Sequence, residues 1–346
     1  MNKNPEDNIL DIGRVPEKIL KRAVLSQLKV KRPEVLIHVG VGEDCSAIEA
    51  GEDEAFVFTV DPMAGTTNEV GKIAFQIAAN DVAASGAKMI GVLIDIAMPV
   101  GSTEAELASI MRDIVKLSEQ YNVEILGGHT QVTDAVNRPL VSMTGVGKTA
   151  RSELFATSGL RPGDELVITK WIGLEGSAIL AAERGDVLRK ELPESIVREA
   201  LRFSELMNVM PESEIAREVG ISAMHDVTEG GIFGALWEMG VASDVGFEVD
   251  IRKIPIRQET IEICEVFDIN PYMLMSSGSM LIGTSKGNLL VDMLESAGIH
   301  AAVIGYVIEG ADRIVRGGED EKRYLEPPGT DELYKALKQE RCDHER

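Results

Sequence analysis

The sequence predicts an α/β (α+β) protein built from two domains. Three observations carry this. Apolar residues alternate with polar ones in some stretches and recur at three- and four-residue spacings in others, and the two patterns interleave along the chain. The chain has 346 residues, 44% of them hydrophobic, enough for two domains or one large α/β unit. The turn Arg161-Pro162-Gly163-Asp164 interrupts the pattern before a fresh strand begins. The expected division is a tail and helix over 1–35, a first domain over 36–150, a second over 151–316 and a charged C-terminal tail over 317–346.

The elements follow in order. Val15 to Leu28 reads as a helix with a basic outer face. Glu54 to Val60 alternates and contains Phe56, Val57 and Phe58, which predicts a strand. Val70 to Ser85 is helical, with Val70, Ile73, Ala74, Ile77 and Ala78 at helical spacing. Asp81 continues that apolar stripe. A carboxylate on a buried face costs several kcal/mol unless it is paired or binds a metal, so Asp81 stands out. Lys88 to Met98 reads as a buried strand. Thr103 and Glu106 form a capping box for a helix running to about Tyr121. Val123–Leu126 and Leu140–Val146 are further strands.

The second half opens with a strand at Glu165–Thr169 and helices at 177–184, 194–207 and 212–219. A helix over 232–239 is entered through Gly230-Gly231. Strands at 247–251, 279–283 and 302–307 alternate with helices at 257–267 and 287–297. Beyond Gly317 the chain is highly charged and contains Pro327-Pro328, which predicts a loosely packed tail with a short helix near Asp331–Leu337.

Composition excludes several classes. A formal net charge of −22 repels nucleic acid and anionic membranes at long range. Cys45, Cys264 and Cys342 lie far apart and form no zinc spacing; a reducing cytoplasm is expected. No apolar run reaches the roughly 20 residues that cross a bilayer. The P-loop motif, the three-glycine dinucleotide loop, the Gly-x-Ser-x-Gly elbow and the His-Glu-x-x-His pair are all missing.

Five short segments set polar or acidic residues against glycine at the edge of apolar runs. In Val39-Gly40-Val41-Gly42-Glu43-Asp44, the backbone at Gly40 and Gly42 could face phosphate and Asp44 a magnesium ion; an ordinary turn is the plain alternative. Asp61 follows a strand and precedes Pro62, which suits a ligand position or a turn. Asn80-Asp81 suits a metal and phosphate site or an internal helix-cap network. Gly127-Gly128-His129-Thr130 could offer N–H groups, a hydroxyl and an imidazole to phosphate, or form a glycine-rich turn. His225-Asp226-Val227-Thr228-Glu229-Gly230-Gly231 leads into a helix N-terminus that could bind an anion or be capped locally.

In this order the segments resemble the superfamily of aminoimidazole ribonucleotide (AIR) synthetase, the PurM-like proteins. The string Asn80-Asp81-Val82-Ala83-Ala84-Ser85-Gly86-Ala87 is the most specific, and the resemblance runs from about residue 10 to residue 335. It implies a homodimer whose N-terminal domains bind ATP and join through a barrel-like interface of strands, with a C-terminal α/β domain alongside. It implies ATP and Mg2+ in a cleft, with Asp44, Asp61 and Asp81 holding the metal. Asp81, Asp226, Glu229 and His129 take catalytic places. Gly40, Gly42, Asn80, Gly127, Gly128 and Thr130 take nucleotide places.

His225-Asp226 with Glu229-Gly230-Gly231, and Asp331-Glu332-Leu333-Tyr334 after the prolines, point to the HypE-related, hydrogenase-maturation branch. That branch dehydrates a carbamoyl-derived group on its own C-terminal cysteine and implies hydrogenase-maturation partner proteins. Three departures are visible. Cys342 is neither terminal nor in the Pro-Arg-Ile-Cys context of that branch. His129 replaces an aspartate common in the superfamily. Ser276-Ser277-Gly278 stands where the branch carries Asn-Glu-Gly, which removes an acidic partner there. A small-molecule kinase, an AIR-synthetase-like ligase and a non-catalytic regulatory or scaffolding homologue are the alternatives.

Overall fold

A computed structural model describes residues 15–64, 69–318 and 321–339. Two sheets organise it. The first comes from β1 (Val35–Ile37), β2 (Ser46–Glu49), β3 (Glu54–Ala64), β4 (Lys88–Pro99), β5 (Glu124–Thr133) and β6 (Leu140–Ala150). With it go helices α1 (Glu17–Ala23), α2 (Val70–Ala84) and α3 (Glu104–Tyr121). The second comes from β7 (Glu165–Thr169), β8 (Ala223–Val227), β9 (Gly246–Asp250), β10 (Ser279–Thr284), β11 (Ala301–Ile308), β12 (Arg313–Arg316) and β13 (Lys322–Tyr324). Its helices are α4 (Leu174–Glu183), α5 (Gly185–Glu191), α6 (Glu194–Arg202), α7 (Met210–Val219), α8 (Gly231–Ala242), α9 (Gln258–Val266), α10 (Gly287–Ser296) and α11 (Glu332–Lys338).

The first sheet runs β1-β2-β3-β6-β4-β5 and is antiparallel except where β5 joins β4. That parallel step needs a crossover, and α3 supplies it. Thr103 starts α3 with the predicted reciprocal cap: Glu106 N–H donates to Thr103 Oγ1 at 3.3 Å and Thr103 N–H to Glu106 Oε2 at 2.6 Å. Asn122, in the left-handed region at φ 54°, ends it. One face of the sheet packs beneath α2 and α3 through Phe75, Ile110, Ile114, Ile96 and Met143, all fully buried. The opposite face leaves Val60, Leu93 and Leu126 exposed.

The second sheet runs β13-β12-β9-β11-β7-β10-β8, with β12 parallel to β9 and the other pairs antiparallel. The two halves interlock through α2. Asn80 is wholly buried; its amide donates to Met207 O at 2.7 Å and accepts from Val209 N–H at 3.0 Å.

Several expectations are corrected. β3 continues through Asp61 and Pro62 instead of ending at Val60. β2 pairs β3 only as far as Phe58, so the outer edge of β3 is open where Pro62 would otherwise break the ladder. β5 continues through Gly127–Thr130, so that segment is strand and not turn. Most of the C-terminal stretch is docked and not loosely packed: β13 extends the second sheet, and α11 buries Leu333 and Ala336. Cys342 lies outside the described residues.

Candidate active site

Between the sheets lies a cleft of about 1520 Å3. Asp44, Asp61, Asp81 and Asp226 all line it, delivered by four separate parts of the chain. Asp61 comes from the helix-covered face of β3, two residues after Thr59. The Thr59 hydroxyl lies 3.2 Å from Asp61 Oδ2 and also donates to Asp81. Asp81 descends from α2 onto this pair. Asp226 is 1% exposed on β8, which enters the second sheet beside β10. Asp44 follows the loop after β1. Glu43 pins that loop by accepting from the N–H groups of Thr157 at 3.1 Å and Ser158 at 3.3 Å.

The electrostatics follow from this crowding. Burial raises the Asp81 carboxyl well above its ordinary range, and Asp226, Asp61 and Asp44 push it further. The same four carboxylates, after burial, raise the neighbouring Cys45 thiol. Such a set of hard oxygen donors, strained by mutual repulsion, fits Mg2+. Asp44, Asp61, Asp81 and Asp226 are the residues that would hold it.

His225 is buried behind the wall. Its Nδ1 lies 2.7 Å from Asp44 Oδ2 and its Nε2 3.1 Å from Glu238 Oε2 on α8. Burial pulls its pKa down, but Asp44 and Glu238 outweigh that and hold it well above the ordinary value. Donor atoms of Asp44, His225 and Asp226 lie within 4.8 Å of one another, close enough for a metal site. With both ring nitrogens engaged by carboxylates, His225 orients Asp44.

The remaining expected positions divide. Glu229 lines the cleft. Gly42 also lines it, but its φ of +76° and a Cβ that would lie 2.7 Å from Glu238 Cβ explain the glycine by close packing against α8. Gly40 does not line the cleft. Asn80 does not line it either: its amide is taken up by the tie to Met207 and Val209. Gly127, Gly128, His129 and Thr130 lie apart from the cleft. All four are exposed on edge strand β5, and none lines the cleft of this chain. Gly128 is required by packing: at φ +150°, its Cβ would lie 1.8 Å from Ile94 O on β4.

The expected anion site at the start of α8 is also filled. Gly230 N–H donates to Asp331 Oδ2 at 2.6 Å, so a carboxylate of the chain itself caps the helix. The sequence reading gave no site role to Thr59, Glu238 and Glu175 in the wall of the cleft, nor to His225 behind it. Only His225, next to Asp226, carried a signal; the others needed the packing of α4, α8 and β3.

Comparison with known proteins now decides the family. Residues 42–149 match the AIR synthase related protein N-terminal domain, and residues 161–317 match the C-terminal domain of the same family. The chain belongs to the AIR synthase-related, PurM-like family. It is 27% identical over 307 residues to a protein of Methanocaldococcus jannaschii described as a hydrogenase expression/formation protein, covering 85% of this chain and 88% of that one. It is 28% identical over 244 residues to carbamoyl dehydratase HypE of Rhodobacter capsulatus, covering 69% of each. It is 27% identical over 320 residues to selenide, water dikinase of Carboxydothermus hydrogenoformans, covering 83% of this chain and 90% of that one.

Solved structures share the fold of this AIR synthase-related chain. The HypE of a HypE–HypF complex superposes with TM-score 0.75 at 20% identity, over 90% of this chain and 99% of that one. HypE in complex with ATP superposes with TM-score 0.68 at 19% identity, over 91% and 96%. Among the described residues no helix is long and apolar enough to cross a membrane.

Proposed function

We propose that this AIR synthase-related protein is an ATP- and Mg2+-dependent enzyme of the HypE-like kind, which activates a carbamoyl-type oxygen for loss. The convergence of Asp44, Asp61, Asp81 and Asp226 in one cleft carries the reading. Mg2+ held there would neutralise phosphate charge during transfer. Asp44 is oriented by His225, and Thr59 aligns Asp61 with Asp81. Glu229 faces the phosphate end from the second sheet. The relatives that act as carbamoyl dehydratases support the reaction class, and the HypE–ATP structure supports the nucleotide.

The uncovered face of the first sheet supports a homodimer. Val60, Leu93 and Leu126 expose apolar surface there that a second copy would bury. Such a dimer would place the exposed Gly127–Thr130 strand against its partner. The HypE–HypF structure supports a hydrogenase-maturation protein as a further partner. Calorimetric titration with Mg2+ and a non-hydrolysable ATP analogue is the test: saturable binding is expected, and no binding at millimolar analogue overturns the reading.

A second reading is a small-molecule kinase on the same scaffold. The dikinase relative and Ser277 favour it. It requires a diffusible acceptor and indifference to Cys342→Ala. Loss of turnover in that variant, with a modified Cys342 found by mass spectrometry in the parent, favours the dehydratase.

A further inference from the structure

The cleft does not stop at the four aspartates. It continues past Thr228–Gly230 to the start of α4 and the loop before β10, where Glu175, Ser277 and Tyr334 line it, with Asp331 buried beside them. Two carboxyl groups here differ sharply. Asp331 is saturated, accepting from the N–H groups of Gly230 at 2.6 Å, Leu333 at 2.8 Å and Met275 at 3.3 Å. Glu175 is 1% exposed, and neither of its buried oxygens has a hydrogen-bond partner. The Ser277 hydroxyl, also 1% exposed, has none either.

Burying a carboxyl whose nearest donors are the hydroxyl and backbone N–H of a single serine, neither in full hydrogen-bond geometry, is costly, and native proteins rarely keep such a group without a use for it. Burial raises Glu175 to about 7, and Asp331 and Glu229 add to that, while the hydroxyl and backbone of Ser277 beside it pull the other way. Tyr334, raised to about 12 chiefly by burial, also faces this cluster. A carboxyl balanced near neutrality can accept a proton at the pH of catalysis. The acidic surroundings repel anions. The pair therefore offers an acceptor for N–H at Glu175 and a hydroxyl donor for a carbonyl oxygen at Ser277. That combination matches one edge of a primary amide.

We propose that Glu175 and Ser277 form the acceptor subsite of this cleft, taking a neutral amide-type group of the carbamoyl class, with Glu175 as the proton acceptor. The proposal rests on the ATP-dependent reading above. It places the acidic partner on α4, beside the position where Ser277 stands in place of a glutamate. The amide oxygen attacks the γ-phosphorus, and the bond from phosphorus to the β,γ-bridging oxygen breaks. ADP leaves with that electron pair. The amide N–H proton passes to the Glu175 carboxylate, and the carbon–nitrogen bond becomes double. The products are an imidate phosphate, ADP and protonated Glu175.

The test uses the full chain with Mg2+–ATP and N-acetyl-S-carbamoylcysteine as the amide probe. Glu175→Gln is expected to bind Mg2+ and the ATP analogue within about twofold of the parent, yet to lose probe-stimulated ADP release by ~100-fold or more. The limb of the parent pH profile with midpoint about 7 should vanish with it. Ser277→Ala provides an independent check: it should raise the probe KM by about tenfold with a smaller change in kcat. Parent-like rates and pH profile in Glu175→Gln, or an unchanged probe KM in Ser277→Ala, overturn the assignment. A parent that binds nucleotide but ignores the probe overturns the subsite alone. A parent that binds no nucleotide overturns the ATP reading, and the subsite with it.

Discussion

The acidic wall and the Gly127–Thr130 strand carry similar local patterns but reach different places. Each sets polar residues against apolar runs, and each suits phosphate chemistry on paper. Asp81 ends 6% exposed among three other carboxylates, whereas His129 ends exposed on an edge strand. The difference lies in cost. A carboxylate forced onto a buried helix face must find partners or a cation, so its position predicts a site. An exposed histidine costs nothing where it stands, so its position predicts little.

Asp81→Asn tests this contrast most severely. It should lower turnover at least ~100-fold by removing a carboxylate from the proposed cation site. His129→Ala in the same assay should cost less than ~10-fold. Equal losses would break the contrast and mean that β5 reaches the cleft of a second copy.

Mg2+ sharpens it further. Because Asp81 is raised from its ordinary 3.8, the cation-free native state retains a proton that the unfolded chain has released. Stability therefore falls as pH rises through that window. Mg2+ relieves the repulsion, so it should raise Tm more at pH 8 than at pH 5. Scanning calorimetry with and without the cation reads this directly.

Glu175→Gln extends the comparison to the far end of the cleft. Glu175 is raised from 4.5 to about 7, so its native form binds more protons than its unfolded form between those values. Glu175 thus costs the parent stability as pH rises, and the glutamine variant lacks that contribution. The variant's gain should be near zero at pH 4 and approach an upper limit of roughly 3 kcal/mol at pH 8 by urea unfolding. A pH-independent gap would mean that Glu175 is solvated.

Asn80→Ala should destabilise by about 2 kcal/mol, since both halves of its amide bridge buried backbone groups. Its nucleotide affinity, measured where the variant remains folded, should stay within about twofold. A large affinity loss would return Asn80 to the site. The smallest effect belongs to His129→Ala on stability, within about 0.5 kcal/mol as for other exposed positions.

Much of the scaffold was legible along the chain. The capping box at Thr103–Glu106, the strand Glu165–Thr169 and the buried stripe of α2 follow local rules that packing reinforces. Short elements were not legible. β1 and β2 have three and four residues, too few for a period to show. β8 is buried at all five positions, so His225-Asp226 reads as loop chemistry until β10 pairs with it. Asp331 looked like part of a charged tail, yet the N–H groups of Gly230 and Met275, from two distant segments, converge on it beside the local Leu333 N–H.

What the sequence alone determined is the family, the layered α/β architecture and the odd burial of Asp81, because each rests on spacing and composition within short windows. What only the tertiary structure decided is membership of the cleft. Sheet order sends β3 and β8 to face one another and leaves β5 at an edge. It also lets Glu175, from the start of α4, stand beside Ser277. Those neighbours are separated by about a hundred residues of chain, and long-range packing, which no local period encodes, brings them together.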